Sequence, residues 1–423
     1  MNVRSAGIGA LAFLLCCVRA DAATEAVVYA FTGGADGANP PSSLLDVGGS
    51  LYGVTSFGGS GACSGGCGTV FSINPETGAE TVIHSFNDDG ADGYVPSGAL
   101  INVHGTLYGT TALGGTGTCE NGCGTVFAID LNTGDETVIY SFQDNGVDGI
   151  SPNSGLTIAN GILYGTAALG GANCPSDEIC GTVFSIDPTT GSESTLYSFC
   201  AQQNCSDGLW PTGPLLNVNG TFYGTTVFGG SNANSCGSPV TGCGTVFSLV
   251  PDTGAEKVLY SFCQQTRCAD GYGPAGGLRY KDGTLYGATT WGGSIRGSCS
   301  GAEGCGTIFS LNLATDTEAV TYTFCTKGDR CKTGYQPNGG LIGIAGKLYG
   351  TTVSGGLGTT CYDRCGTVFW VNPLTGKERQ LYSFAGGTDG ATPTAGLLDV
   401  KGTLYGTTEY GGTGAGTVFS ITP

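Results

Sequence analysis

Apolar and polar positions alternate along the chain in short runs separated by glycine-rich punctuation. The stretch from Gly98 to Phe142 shows the unit. Gly98-Ala-Leu-Ile-Asn-Val103 is followed by a His104-Gly105 turn, then by Thr106-Leu-Tyr-Gly-Thr-Thr-Ala-Leu113. Gly124-Thr-Val-Phe-Ala-Ile-Asp130, the turn Leu131-Asn-Thr-Gly134 and Glu136-Thr-Val-Ile-Tyr-Ser-Phe142 complete it. Four runs rich in Val, Ile, Thr, Tyr and Phe, each bounded by turn formers, predict four antiparallel strands. Leu/Phe-Tyr-Gly returns at Tyr52, Tyr108, Tyr164, Tyr223, Tyr286, Tyr349 and Tyr405, at intervals of 56, 56, 59, 63, 63 and 56 residues. Seven four-stranded units predict an all-β, seven-bladed β-propeller. A parallel β-helix would need shorter coils without these hairpin turns, and no run beyond the first residues reads as a helix.

The ends of the pattern predict how the ring closes. The last run, Gly416 to Thr422, is a third strand without a fourth. Glu25-Ala-Val-Val-Tyr-Ala-Phe31 matches Glu136 to Phe142, so the N-terminal strand is expected to complete the last blade and leave no unpaired edge. Alternating strand direction puts the second-to-third loops and the blade crossovers on one face. That face carries the cysteine pairs, the length variation and most inserted aromatics, and variable loops on a rigid frame are where binding concentrates.

Composition refines the picture. Glycine is high at 79 residues and charged residues are scarce at 11 %, too few for a disordered chain. Arg4, the apolar stretch Ala6 to Val18 and Ala20-Asp21-Ala22 read as an export signal over residues 1–22, too short to span a bilayer. The mature propeller, residues 23–423, is expected outside the cytoplasm, secreted, periplasmic or at the cell surface, as a monomer with no membrane span. Net charge is −18, with no Lys or Arg between Ala23 and Glu256, which excludes nucleic acid as a partner.

Cys16 and Cys17 fall in the signal, leaving eighteen of the 20 cysteines. Six pairs precede Gly-Thr-Val/Ile-Phe strands: Cys63-Cys67, Cys119-Cys123, Cys174-Cys180, Cys236-Cys243, Cys299-Cys305 and Cys361-Cys365. Cys200-Cys205, Cys263-Cys268 and Cys325-Cys331 occupy crossovers. An even count at recurrent positions in an exported chain predicts disulfides. A closed zinc site needs four ligands, whereas each pair is read as the property of a separate repeat.

Six crossovers carry Asp-Gly-x-x-Pro, at Asp36, Asp92, Asp148, Asp207, Asp270 and Asp389, with Thr333 in the seventh place. These carboxylates are expected to form turns; Ca²⁺ coordination, for instance by Asp207 and Asp270, is the alternative, and no other cofactor is implied. A Glu precedes the aromatic of every fourth strand, from Glu25 to Glu378, and is read as a guard on an exposed strand edge. His84 replaces the Tyr of other repeats and, like His104, is read as a substitution within the pattern. The departure from symmetry lies in blades 4 to 6. Trp210, Tyr272 and Tyr335 follow Asp-Gly or Gly at matching positions, Phe228 and Trp291 end second strands, and Arg267, Arg296 and Arg330 lie nearby. Aromatics beside Arg on one sector would stack on sugar rings or anchor a peptide, or else fill wedges between blades.

The run Leu-Tyr-Gly-Thr-Thr, Gly-Gly, Gly-Thr-Val-Phe, Leu-Tyr-Ser-Phe, Asp-Gly, Pro resembles the GloVer (Gloeo/Verruco) tandem-repeat proteins of bacteria, plainly from Tyr223 to Phe262 and Tyr349 to Phe384. The resemblance covers the mature chain. It implies an exported, often surface-associated bacterial repeat protein and supplies no catalytic residues. Members commonly carry a C-terminal sorting anchor, and none follows the last strand before Pro423. A weaker likeness to quinoprotein propellers stops at Tyr-Ser-Phe, where their tryptophan is expected. The expected function is a non-enzymatic binding or adhesion module for glycan or protein on the loop face of blades 4 to 6. The alternatives are a polysaccharide hydrolase or lyase using Asp residues of that face, and a structural envelope or matrix component.

Overall fold

The computed structural model describes residues 23–172, 174, 180–231, 236, 242–293, 299, 304–326, 331–361 and 365–423. The expected export segment, Arg296 and Arg330 lie outside the described residues. Seven blades of four antiparallel strands stand around a central axis. Blade 4 is typical: Leu209–Val218, Thr221–Phe228, Thr245–Val250 and Ala255–Ser261 pair in sequence order from channel to rim. Blade 7 is composite. Its first three strands are Leu398–Val400, Thr403–Thr408 and Thr417–Thr422, and its rim strand is Thr24–Ala30, with Thr24 opposite Thr422.

The repeated residues explain why the blades form and stack. In Leu-Tyr-Gly the leucine enters the core, as with Leu51, Leu107 and Leu163, all 0 % exposed. The glycine lies under the third-strand phenylalanine. A Cβ at Gly53, Gly109, Gly165, Gly224, Gly287, Gly350 or Gly406 would sit 2.5–2.9 Å from that ring. The same ring meets the rim-strand phenylalanine of the preceding blade edge-to-face: Phe31 on Phe71, Phe86 on Phe127, and so around to Phe384 on Phe419, with centroids 4.9–5.1 Å apart. Each pair adds about 1 kcal/mol beyond burial, and each ties two blades together.

Nine disulfides close as the spacing predicts. In the six loop pairs the second cysteine also anchors the next blade. The carbonyls of Cys67, Cys123, Cys180, Cys243, Cys305 and Cys365 accept 2.9–3.0 Å hydrogen bonds from the N–H groups of Val95, Ser151, Trp210, Gly273, Gln336 and Thr392. Ala415 serves Asn39 in the same way without a disulfide. Reading each pair as isolated needs one correction: crossover pairs fold back onto loop pairs, and the Cys299, Cys305, Cys325 and Cys331 sulfurs lie within 4.8 Å of one another. Nine closed pairs belong to an oxidising compartment, extracellular or periplasmic. No helix among the described residues is long and apolar enough to cross a membrane.

The first strands differ among blades in a way that matters for the loop face. In blades 4 and 5 they run unbroken for ten residues, Leu209–Val218 and Tyr272–Lys281. Blade 6 splits the same stretch into Tyr335–Pro337 and Ile342–Ile344. Blades 1 and 7 hold it to the second strand near the loop face by the bridges Ala38–Phe57 and Ala391–Tyr410 and one flanking bond each, from the N–H of Ser56 to the carbonyl of Asn39 and from that of Glu409 to Thr392.

Candidate functional site

The crossover aspartates are structural. Asp207 and Asp270 are 0 % exposed. Asp270 accepts the Tyr260 hydroxyl at 2.8 Å and the N–H groups of Gln264 and Gln265 at 2.8 and 3.2 Å. Asp207 does the same with Tyr197, Ala201 and Gln202. Tyr29, Tyr140 and Tyr382 bond Asp36, Asp148 and Asp389 likewise. A carboxylate so surrounded holds the turn from one blade to the next, and the fully buried Asp207 and Asp270 present no oxygen to a substrate on the loop face.

The rim glutamates do not guard an edge. Every fourth strand carries a β-bulge between the Glu and the aromatic four residues later, for example between Val138 and Tyr140. Without it both side chains would share a face; the extra residue sends them to opposite faces. Each blade therefore points its Glu back at the preceding blade's Tyr and its own Tyr forward. Tyr322 and Glu378 meet this way at 3.5 Å. Burial pushes Glu80, Glu193, Glu256 and Glu318 up to about 7, and the neighbouring crossover aspartate adds to it. Oε1 of Glu25, Glu80, Glu256 and Glu318 has no hydrogen-bond partner.

The loop face opens differently. A funnel of about 640 Å³ opens mainly over blades 4 to 7, and Trp210, Phe228 and Trp291 line it. Asn153, Thr212, Gln336, Asn338, Thr394 and Glu409 line it too. It runs into the axial channel, about 290 Å³, whose lining is Gly, Ser, Ala, Thr, Pro, Asn, Leu and Ile. Trp210 holds a left-handed conformation at φ 55°. That region suits Gly or Asn, and a bulky side chain there costs about 1 kcal/mol or more. The carbonyl of Cys180 fixes its N–H at 2.9 Å, and its ring tilts onto Phe228 at 5.8 Å. In blade 5 the same position is Gly273, and the Trp291 ring occupies the place a side chain would take. Trp291 also stacks on Tyr272 at 5.6 Å and 27°.

Of the residues singled out by sequence, Trp210, Phe228 and Trp291 come together in the funnel. Tyr272 and Tyr335 are buried, 6 % and 5 % exposed. They are not equivalent to Trp210 but to Leu209, one residue earlier, and a one-residue offset in a strand turns a side chain to the other face. Arg267 is exposed on the 3-10 turn Thr266–Cys268 and does not line the funnel. The polar lining was missed, although the residue after each crossover proline could have shown it: Pro41, Ser97, Asn153, Thr212, Ala275, Asn338 and Thr394. Exposed Phe57 and Tyr410, 42 % and 48 %, were also missed; each faces an alanine across the strand pair instead of a large residue.

Fold and funnel define a disulfide-stapled, seven-bladed propeller whose loop face is individual while its rim is repetitive. The chain belongs to the Gloeobacter/Verrucomicrobia repeat family, whose model matches residues 16–177, 174–298 and 236–423. No curated protein matches it in sequence. Among solved structures it is similar to an oligogalacturonate lyase from Vibrio parahaemolyticus, with TM-score 0.54 and 11 % identity over 91 % of this chain and 89 % of that one. An oligogalacturonate lyase in complex with manganese gives 0.51 and 12 %, over 89 % and 86 %. Puromycin hydrolase gives 0.53 and 13 %, over 88 % of this chain and 50 % of that one. At such identities the likeness is one of fold.

Proposed function

We propose that the protein is a non-enzymatic binding module that takes a neutral glycan segment into the loop-face funnel. The observation that carries this reading is one funnel lined by three half-buried aromatics together with amide and hydroxyl side chains. Aromatic faces pack on the C–H faces of sugar rings, while Asn153, Gln336 and Asn338 offer both donors and acceptors to hydroxyl pairs. Trp210 supports it further, since at the left-handed position shared by all seven blades it is the one aromatic, and its ring is half-buried beside Phe228. No Lys or Arg lines the funnel among the described residues, and Glu409 does, so a polyanionic sugar is disfavoured.

Hydrolysis is a poorer fit. Glycosidases place two carboxyl groups about 5–9.5 Å apart across the scissile bond. Among the described residues Glu409 is the one carboxylate lining the funnel, and Asp207 and Asp270 are buried in their turns. Nor do the channel's small side chains supply the imidazole or carboxylate donors that a manganese ion would need.

A glycan array of neutral and acidic oligosaccharides tests the reading. Binding confined to neutral sugars and lost on Trp210→Ala and Trp291→Ala, with the fold kept in both by circular dichroism, is expected. Binding that ignores both substitutions would sink the proposed site.

A further inference from the structure

Six of the seven blade interfaces carry Tyr between the crossover and the next blade's Glu. The interface between blades 1 and 2 carries His84 instead, together with Asp92 and Glu136. The three ligand atoms lie within 4.8 Å of one another. His84 Nε2 and Asp92 Oδ2 are 3.5 Å apart, too long for a good hydrogen bond. That separation matches the edge of a tetrahedron with metal–ligand bonds of about 2.1 Å, which is about 3.4 Å. Neither Nε2 of His84 nor Oε1 of Glu136 has a hydrogen-bond partner.

The surroundings suit ligation as well. The N–H groups of Asn87 and Gly93 orient the Asp92 carboxylate at 3.0 and 2.7 Å. The His84 ring packs edge-on to Phe86 at 4.8 Å, which fixes its plane. The His84 and Asp92 side chains are 21 % and 13 % exposed, while Nε2 of His84 and Oε1 of Glu136 are themselves buried. We propose that His84, Asp92 and Glu136 bind one divalent transition-metal ion of the zinc class, clamping blade 1 to blade 2. One imidazole and two carboxylates with an open fourth position form a donor set such an ion accepts. The equivalent Tyr-containing interfaces lack the imidazole, so the clamp is particular to this one.

Zinc alone, titrated calorimetrically into the EDTA-dialysed full chain without reductant, tests the assignment. The absence of reductant keeps the clustered cysteines closed. One equivalent should bind and raise the melting temperature, and cobalt in its place should give visible d–d bands. His84→Tyr installs the residue of the other interfaces and should weaken binding by at least about tenfold and abolish the bands. Should that variant not fold, Glu136→Gln is scored on the same measures. Wild type and variant titrating alike, or no binding by wild type, would overturn the proposal. So would calcium binding more tightly than zinc, since calcium prefers an all-oxygen site.

Discussion

The rim and the loop-face funnel are built from the same repeat and diverge in what they conserve from blade to blade. At the rim, every interface packs phenylalanine on phenylalanine with a glutamate behind, and five of the seven also set tyrosine on aspartate. On the loop face, equivalent positions hold Asn39, Val95, Ser151, Trp210, Gly273, Gln336 and Thr392, all with positive φ, and the last four line the funnel. A shared backbone thus presents six different side chains and one bare glycine on the loop face. The rim is where the ring invests its stability. The mouth is where it tolerates strain, and this is the pattern expected when binding is placed on a frame that is rigid elsewhere.

The largest expected effect would come from breaking a rim turn. Asp270→Ala leaves the Tyr260 hydroxyl and two backbone N–H groups without an acceptor. About 3 kcal/mol of stability or more should be lost, read as an earlier urea midpoint with the slope unchanged. The converse experiment is Trp210→Gly. Affinity for the bound glycan should fall by about thirtyfold, or 2 kcal/mol, as for an aromatic anchor. Stability should hold or rise, because glycine accepts φ 55° without cost. A large loss of stability there would show that Trp210 belongs to the frame.

Next comes the covalent staple. Replacing both Cys63 and Cys67, four residues apart, by Ser should cost about 2 kcal/mol in the chain-entropy model. Blade 7, pinned through Ala415 without a disulfide, is the internal comparison. Reduction of the protein should leave its hydrogen-exchange protection least changed.

The last effect is a pH dependence. Glu256 ionises at about 7 in the folded protein, against 4.5 for the unperturbed group. Below pH 4.5 both folded and unfolded forms are protonated and the burial costs nothing. Stability then falls as pH rises toward 7, and above it the full cost of the buried charge remains. Glu256→Gln should therefore raise the melting temperature at pH 8 and leave it unchanged near pH 4. A gain at both pH values would point to packing instead of charge.

Period and turn chemistry made the blades, their number and the two faces legible in the sequence. Two kinds of information were not. A bulge has no composition of its own, so the opposite facing of Glu136 and Tyr140 stayed hidden and the glutamates looked like edge guards. Trp210 follows its crossover glycine one residue later than Tyr272 and Tyr335 follow theirs, and that single offset separates a funnel residue from the core. The cysteine pairs were right as pairs, but their contact across blades depends on crossovers folding back, which spacing alone does not encode.

The composite blade has a mechanical consequence. Thr24 and Thr422 face each other at the same end of the ladder that joins the two outermost strands of blade 7. Tension applied at these two residues would load that ladder one hydrogen-bonded pair at a time, like a zipper, instead of shearing all pairs together. At rest the seam is as complete as any other blade. Under pull from its two ends it would be the first place the ring opens.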